Sequence, residues 1–227
     1  MPIFHFPLSI FHFPFMKGNL IIISSPSGGG KGTLIKEVRG MLPDLGYSVS
    51  HTTRPQRFGE ENGREYFFTT KQDFERRIAG GDFLEYAVVH GNLYGTSIAE
   101  SEKVFSTGKD LVVEVDVQGA VQIMERLEGT SISIFILPPS FEVLEARLTA
   151  RATEDQAELR TRLCNSFDEV MQYSKFKYVI INEDISSAAR QIAAIIVAER
   201  QRLDRQTDAI QDILNSFDAS KHQFEGD

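Results

Sequence analysis

Nine residues between a run of branched aliphatics and a helical pattern carry the strongest chemical signal in this sequence: Ser25-Pro26-Ser27-Gly28-Gly29-Gly30-Lys31-Gly32-Thr33. Glycines let a backbone curl until successive N–H groups face inward, which is how a loop cradles phosphate oxygens. A helix that starts directly after such a loop turns its positive N-terminal end on the same anion. Lys31 adds a full charge toward the outer phosphates of a nucleoside triphosphate. Thr33 offers a hydroxyl to those phosphates or to a magnesium ion travelling with them. Against the usual G-x-x-x-x-G-K-[ST] spacing, Ser25 stands at the first glycine and Gly32 follows the lysine, which moves the hydroxyl one residue on. The plain alternative is a Gly-rich turn without a ligand, and the order strand, loop, lysine, helix argues against it.

A second constellation lies in Ser48-Val49-Ser50-His51-Thr52-Thr53-Arg54-Pro55-Gln56-Arg57, followed by Glu60 and Tyr66. Arg54 and Arg57, three residues apart in a Pro-containing loop, could clamp a dianionic phosphate in bidentate fashion, with Ser and Tyr hydroxyls completing the shell. A solvated basic loop would look the same on composition alone. Farther on, Arg147 and Arg151 fall at i, i+4 on one helix face, and Arg162 lies across a polar stretch. Such arginines could spread over a transferring phosphoryl group, whose transition state is stabilised mainly by positioning and positive charge. Pairing with acids on a helix surface is their ordinary alternative.

These groups need a scaffold, and the hydrophobic pattern describes one. Leu20–Ser24, Leu111–Asp116, Ile132–Leu137 and Tyr178–Ile181 are short β-branched runs of the kind buried on both faces. Helical patterns follow at Thr33–Met41, Val117–Leu127, Phe141–Arg151 and Ser187–Arg202. Alternation of this kind implies an α/β fold with a parallel sheet core and helices on both faces. Between Ser48 and Ser97 short extended pieces (Tyr66–Phe68, Phe83–Val89) and a helix near Asp73–Ala79 suggest a small α+β insertion. The expected organisation is an extension over 1–15 and one domain over 16–227. That domain has a core (16–47, 98–151, 162–204), an insertion (48–97), a polar lid (152–161) and a helical tail (205–227). An ordinary solvated helix start would resemble the lid. In the tail, Leu203, Ile210, Ile213, Leu214 and Phe217 keep helical spacing, which favours packing on the body over a dimer contact.

Bulk properties narrow the function. The 227 residues carry a formal charge of −8, a poor footprint for long nucleic acid but compatible with small phosphates where arginines gather. A chain of this size buries roughly 70–75% of its unfolded surface and needs no disulfide or metal staple. The single Cys164 can form no internal disulfide, which fits a reducing, cytoplasmic compartment. Residues 1–15 hold five of the 17 phenylalanines and repeat IFHFP at Ile3–Pro7 and Ile10–Pro14. The segment lacks a basic start and a small-residue cleavage site, and it is shorter than the ~20 apolar residues of a membrane helix. Met16 is the expected natural start. His5 and His12 could pair on a metal but have no third ligand nearby.

From about Asn19 to Arg202 the chain closely resembles guanylate kinases, through SPSGGGKGT, SVSHTTRPQRFGE, NGREYFF, GNLYGTS, VDVQG, RLTAR and TRL. The resemblance implies a P-loop nucleoside-monophosphate kinase with a GMP-binding insertion and an arginine-bearing helical lid that closes over ATP. The implied reaction is direct in-line transfer from Mg-ATP to GMP, with dGMP as a further acceptor, in purine nucleotide recycling. By the same resemblance Ser50, Arg54, Arg57, Tyr66 and Tyr94 hold the GMP phosphate. Glu85 and Thr96, with Asp116 nearby, read the guanine edge. A carboxylate suits guanine because N1–H and the 2-amino group both donate. Lys31, Arg54, Arg147, Arg151 and Arg162 are the implied catalytic cations, and Thr33 and Glu114 the implied contacts to magnesium, Glu114 through water. Glu114 stands where aspartate is more usual, and Ala150 and Ala152 stand where glycines are common, which implies a stiffer lid hinge.

Two other readings remain at this stage. Guanylate kinase-like modules in scaffold proteins bind phosphopeptides, but they typically lack a working phosphate loop, whereas Lys31 and the lid arginines are present here. Ribose-bisphosphate kinases share the fold, but would not be expected to keep Glu85, Thr96 and Asp116 with the whole SVSHTTR segment.

Overall fold

The computed structural model describes residues 18–89, 91–127, 130–150 and 156–224. Residues 1–15 with their IFHFP repeat, Met16, Arg151 and the first part of the expected lid (152–155) lie outside the described residues. In chain order the strands are β1 (Leu20–Ser24), β2 (Gly46–Tyr47), β3 (His51–Thr52), β4 (Phe67–Phe68), β5 (Phe83–Val89), β6 (Asn92–Ser97), β7 (Leu111–Glu114), β8 (Ile132–Leu137) and β9 (Tyr178–Ile181). The helices are α1 (Lys31–Met41), α2 (Lys71–Ala79), α3 (Ile98–Phe105), α4 (Val117–Arg126), α5 (Phe141–Ala150), α6 (Gln156–Val170), α7 (Ile185–Arg200) and α8 (Thr207–Phe224).

Five strands form one sheet in the order β2-β7-β1-β8-β9, and every pair in it is parallel. Every residue of β1 is buried, because successive side chains leave opposite faces and each face has its own cover. Ile21 and Ile23 join Leu34 and Val38 of α1 and Ile192 and Ile196 of α7. Leu20 and Ile22 join Phe105 of α3 and Ala120 and Ile123 of α4. Each such aliphatic taken fully from water contributes roughly 1.5–3 kcal/mol, so a five-residue strand is anchored from both sides. The C-terminal ends of these strands are where the loops can carry chemistry.

Residues 51–97 fold as a second, four-stranded sheet in the order β4-β3-β6-β5. The β5–β6 hairpin pairs Glu85 with Thr96 and Tyr86 with Gly95, and it turns at Gly91, whose φ of 77° favours glycine. Phe74 of α2 is fully buried and stacks on Phe83 at 4.5 Å, which ties the helix to the small sheet.

Helix starts divide by function. Thr70, Asp116 and Asp184 cap α2, α4 and α7 by accepting from the N–H three residues on. Gly30 begins α1 in a left-handed conformation with no side-chain cap. The first N–H groups of α1 therefore lack the side-chain acceptor that α2, α4 and α7 carry.

Several expectations are refined. Strand β7 ends at Glu114 rather than Asp116, because Asp116 turns to cap α4. The expected lid span 152–161 overlaps helix α6, which runs without interruption from Gln156. The tail is helical; of its five spaced apolar residues Ile210 is half-buried, and the other four are exposed rather than packed on the body as expected. Leu203 is 76% exposed, Ile213 55%, Leu214 50% and Phe217 71%. A 3-10 turn, Leu203–Arg205, separates α8 from α7, and α8 packs on that turn.

A polar knot closes the end of the sheet opposite the phosphate loop. Asp110, buried just before β7, accepts from Asn19 N–H at 2.6 Å and from Arg200 Nε at 2.6 Å. Arg200 also pairs with Asp44 at 3.1 Å. Removing one partner would leave the Asp110 charge buried without compensation. Arg200→Ala should therefore destabilise the fold by about 2–3 kcal/mol, read as a lower urea midpoint with an unchanged slope.

Candidate active site

The loop between β1 and α1 takes its shape from Gly28 (φ 84°) and Gly30 (φ 89°), with Gly29 N–H bonded to Pro26 O at 2.9 Å. A Cβ on Gly28 would meet Leu144 and Leu148 of α5 at about 3 Å, so the loop lies directly on that helix. Lys31 Nζ donates to the Val115 carbonyl at 2.7 Å. Ser25, at the position where glycine is usual, is buried and bonds Pro26 O at 3.0 Å.

The second constellation faces the same cleft. Arg54 Nη2 donates to both oxygens of Glu60 at 2.7 and 3.0 Å, and Nη1 to Pro55 O at 2.7 Å. Its guanidinium also lies over the rings of Tyr66 and Phe68, at 5.4 and 5.7 Å. Burial depresses the Arg54 guanidinium, but hydrogen bonding to Glu60 and the nearby Tyr94 outweigh it and leave the group firmly charged. Burial likewise pushes the Glu60 carboxyl up, while bonds from Arg54 and from Arg57 N–H bring it below the usual carboxylate range. Glu60 thus braces the clamp; as an anion it is unsuited to touching a phosphate itself. Tyr66 meets Tyr94 edge to face at 5.7 Å, and burial, reinforced by Glu114, raises its hydroxyl to about 12.

Glu85 is 3% exposed and Thr96 fully buried, with Thr96 Oγ1 donating to Glu85 Oε1 at 2.7 Å. Asp116 reaches Gly119 N–H at 3.0 Å. A Cβ on Gly119 would sit 2.5 Å from Glu85 Oε2, so only glycine lets the first turn of α4 approach that carboxylate. Burial pushes the Glu85 carboxyl up to about 7; the Thr96 hydroxyl pulls against this and the Asp116 charge adds to it.

Ser25 to Gly32, Ser50, Arg54, Arg57, Glu60, Tyr66, Glu85, Tyr94, Glu114, Asp116 and Arg162 all line one cleft. Thr33 is exposed and not among the lining residues. Thr96 stands behind Glu85. Arg147 reaches the site indirectly: its Nη2 donates to Asn182 O at 2.9 Å, and Asn182 Nδ2 donates to Gly29 O at 3.0 Å.

Residues 17–199 match the family model described as guanylate kinase. The chain belongs to the guanylate kinase family. It is 41% identical over 196 residues to the guanylate kinase of Thermotoga maritima, covering 86% of this chain and 94% of that protein. The guanylate kinase of Clostridium tetani is 44% identical over 194 residues, with 86% and 92% covered. A crystal structure of guanylate kinase from Anaplasma phagocytophilum shares 34% identity and superposes with a TM-score of 0.70, covering 83% of this chain and 89% of that one.

Within this guanylate kinase cleft the sequence reading missed three residues. Tyr47 donates to Glu114 Oε2 at 3.1 Å. Asn182 braces the phosphate loop from the end of β9. Glu169 of α6 accepts from Ser27 N–H at 2.8 Å. Asn182 could have been suspected from its place directly after a parallel strand; Glu169 has no local signal at all. Among the described residues no group of three His, Cys, Asp or Glu converges as a metal site. The oxygen donors Glu114, whose Oε1 lies 3.6 Å from a Cβ built on Gly32, and Asp116 nonetheless fit a magnesium ion that arrives on phosphates and needs only one or two carboxylates.

A raised Glu85 carboxyl has a defined sign. The fold favours the neutral form, so this contribution to stability is full below about pH 4.5 and declines as pH rises to about 7. Carboxyl-resolved NMR should find a Glu85 midpoint near 7. Glu85→Gln should gain stability over the parent chain by up to about 3 kcal/mol across that window, measured by urea unfolding at stepped pH.

Proposed function

We propose that this cleft transfers the terminal phosphoryl group of Mg-ATP to GMP, and to dGMP, by direct in-line displacement. The observation that carries the reading is the convergence of a phosphate loop and an arginine-tyrosine clamp on one cleft that also holds the buried Glu85. The loop N–H groups and Lys31 take the donor phosphates, with Lys31 released from the Val115 carbonyl. Ser50, Arg54, Arg57, Tyr66 and Tyr94 take the acceptor phosphate, and bidentate guanidinium geometry suits its oxygens. Glu85 and Thr96 read the guanine edge, with Asp116 nearby, and Glu85 accepts from guanine N1–H and the 2-amino group. Arg147, Arg151 and Arg162 supply charge to the transferring group. Glu114 and Asp116 would hold magnesium through water; when bound, it neutralises charge on the triphosphate. No covalent intermediate is required, since two phosphates in one cleft can meet end to end.

The insertion 48–97 serves as the GMP-binding arm and 152–161 as part of the lid, whose closure would exclude water. Lone Cys164, exposed and unpaired, suits a reducing cytoplasm, and no described helix is long and apolar enough to cross a membrane. A net acidic chain is not expected to act on long nucleic acid.

An ADP-release assay with GMP, AMP, UMP and ribose bisphosphate tests the reading. GMP should be turned over selectively, and Lys31→Ala should lower kcat by on the order of 10²–10³. Preference for AMP would remove Glu85 from its role. GMP binding should also release a proton below about pH 7, because guanine donors require the ionised Glu85. Calorimetry in buffers of different ionisation enthalpy reads that proton directly.

A further inference from the structure

We infer that Glu169 is an anion placeholder: its carboxylate takes the Ser27 N–H of the phosphate loop that a donor phosphate would otherwise take, and ATP must displace it. The inference rests on the reading that donor phosphates seat on this loop.

Glu169 Oε2 stands 2.8 Å from Ser27 N across 142 residues of sequence, and both residues line the cleft. A loop that curls its N–H groups inward selects anionic oxygen, and a carboxylate is the nearest protein equivalent of a phosphate oxygen. One N–H cannot serve both at full strength. The acceptor half shows the same arrangement, with Glu60 held by Arg54 through both oxygens. Lys31 is likewise engaged by a backbone carbonyl rather than by a permanent counter-charge.

The element that carries Glu169 gives the contact a consequence. Arg162 lies seven residues earlier on α6, two turns along the same face, and it too lines the cleft. Displacing Glu169 from the loop frees α6 to shift as a rigid rod, and that shift carries Arg162 with it. Arrival of polyphosphate would thereby be linked to the placement of a cation needed only once polyphosphate is bound. The same contact holds α6 against the loop. Repulsion between Glu169 and the incoming charge raises the dissociation constant of ATP.

Calorimetric titration without turnover tests this, using ATP, Mg-ATP, tripolyphosphate and GMP as separate ligands. Glu169→Gln, which keeps the shape and an acceptor oxygen, and Glu169→Ala should each bind ATP about five- to tenfold more tightly. The gain should be larger for magnesium-free ATP and tripolyphosphate than for Mg-ATP, because it scales with ligand charge. Glu169→Asp should stay near the parent affinity, and GMP affinity should not move in any of the three. Equal or weaker ATP binding in the Gln and Ala variants would overturn the placeholder and make Glu169 a strut that shapes the loop for nucleotide. Lys31→Ala in the same series separates the two levels. If it leaves ATP affinity unchanged, the donor-site reading itself fails. If it loses ATP while the Glu169 variants do not tighten, only the placeholder is overturned.

Discussion

A cleft built for two polyanions must keep cations and N–H donors close together while no anion is present. Mutual repulsion and desolvation oppose that arrangement, and an unpaired charge in a half-buried site is costly. The structure resolves the conflict with exchangeable partners. Lys31 rests on the Val115 carbonyl, Arg54 on Glu60, and the Ser27 N–H on Glu169. Each is satisfied, and Arg54 bonds the Pro55 carbonyl besides. Most of what surrounds the cleft exists to hold these pairs at the ends of rigid elements.

The rigid elements are simple in origin. β1 carries the loop out of a sheet buried on both faces, so the loop begins from a fixed point. β7 ends beside it with Glu114, and the chain then turns through Val115 and Asp116 into α4. Asn182 follows directly on β9, and its amide reaches the Gly29 carbonyl. Three strands of one sheet, β1, β7 and β9, thus bring their C-terminal ends toward one loop, the usual consequence of a parallel sheet. The insertion meets this platform through Glu85, whose strand packs against α4. Its hydrogen bond comes from Thr96 in the small sheet, while the bare first turn of α4 lies against its other oxygen.

Legibility in the sequence followed the length and purity of the hydrophobic signal. β1, β8 and β9 could be bounded to the residue, because each is an uninterrupted apolar run between breakers. The two-residue strands β2 and β3 could not, since two residues carry no period. β6 was hidden by Gly95 and by the polar alternation of Asn92, Tyr94 and Thr96, and α3 by the acids that make its exposed face. Among site residues, those set in dense motifs were readable: the phosphate loop and the Ser50–Arg57 segment. Tyr47, Glu169 and Asn182 act through contacts spanning 67, 142 and 153 residues, distances over which a single sequence offers no spacing rule. Thr33 sits at the edge of the motif. Its hydroxyl was assigned from the motif, yet Gly32 after the lysine leaves it on the exposed side of α1.

The contact between Gly119 and Glu85 bears on how such a protein can change over time. Any side chain at 119 would press on the Glu85 carboxylate, and any group longer than Glu at 85 would press on the bare backbone of α4. Bulk at either position is therefore bound to the other, while charge at 85 is not. A lineage moving toward another base could exchange the carboxylate for a group of the same size, but could not enlarge this wall of the acceptor pocket from either side alone.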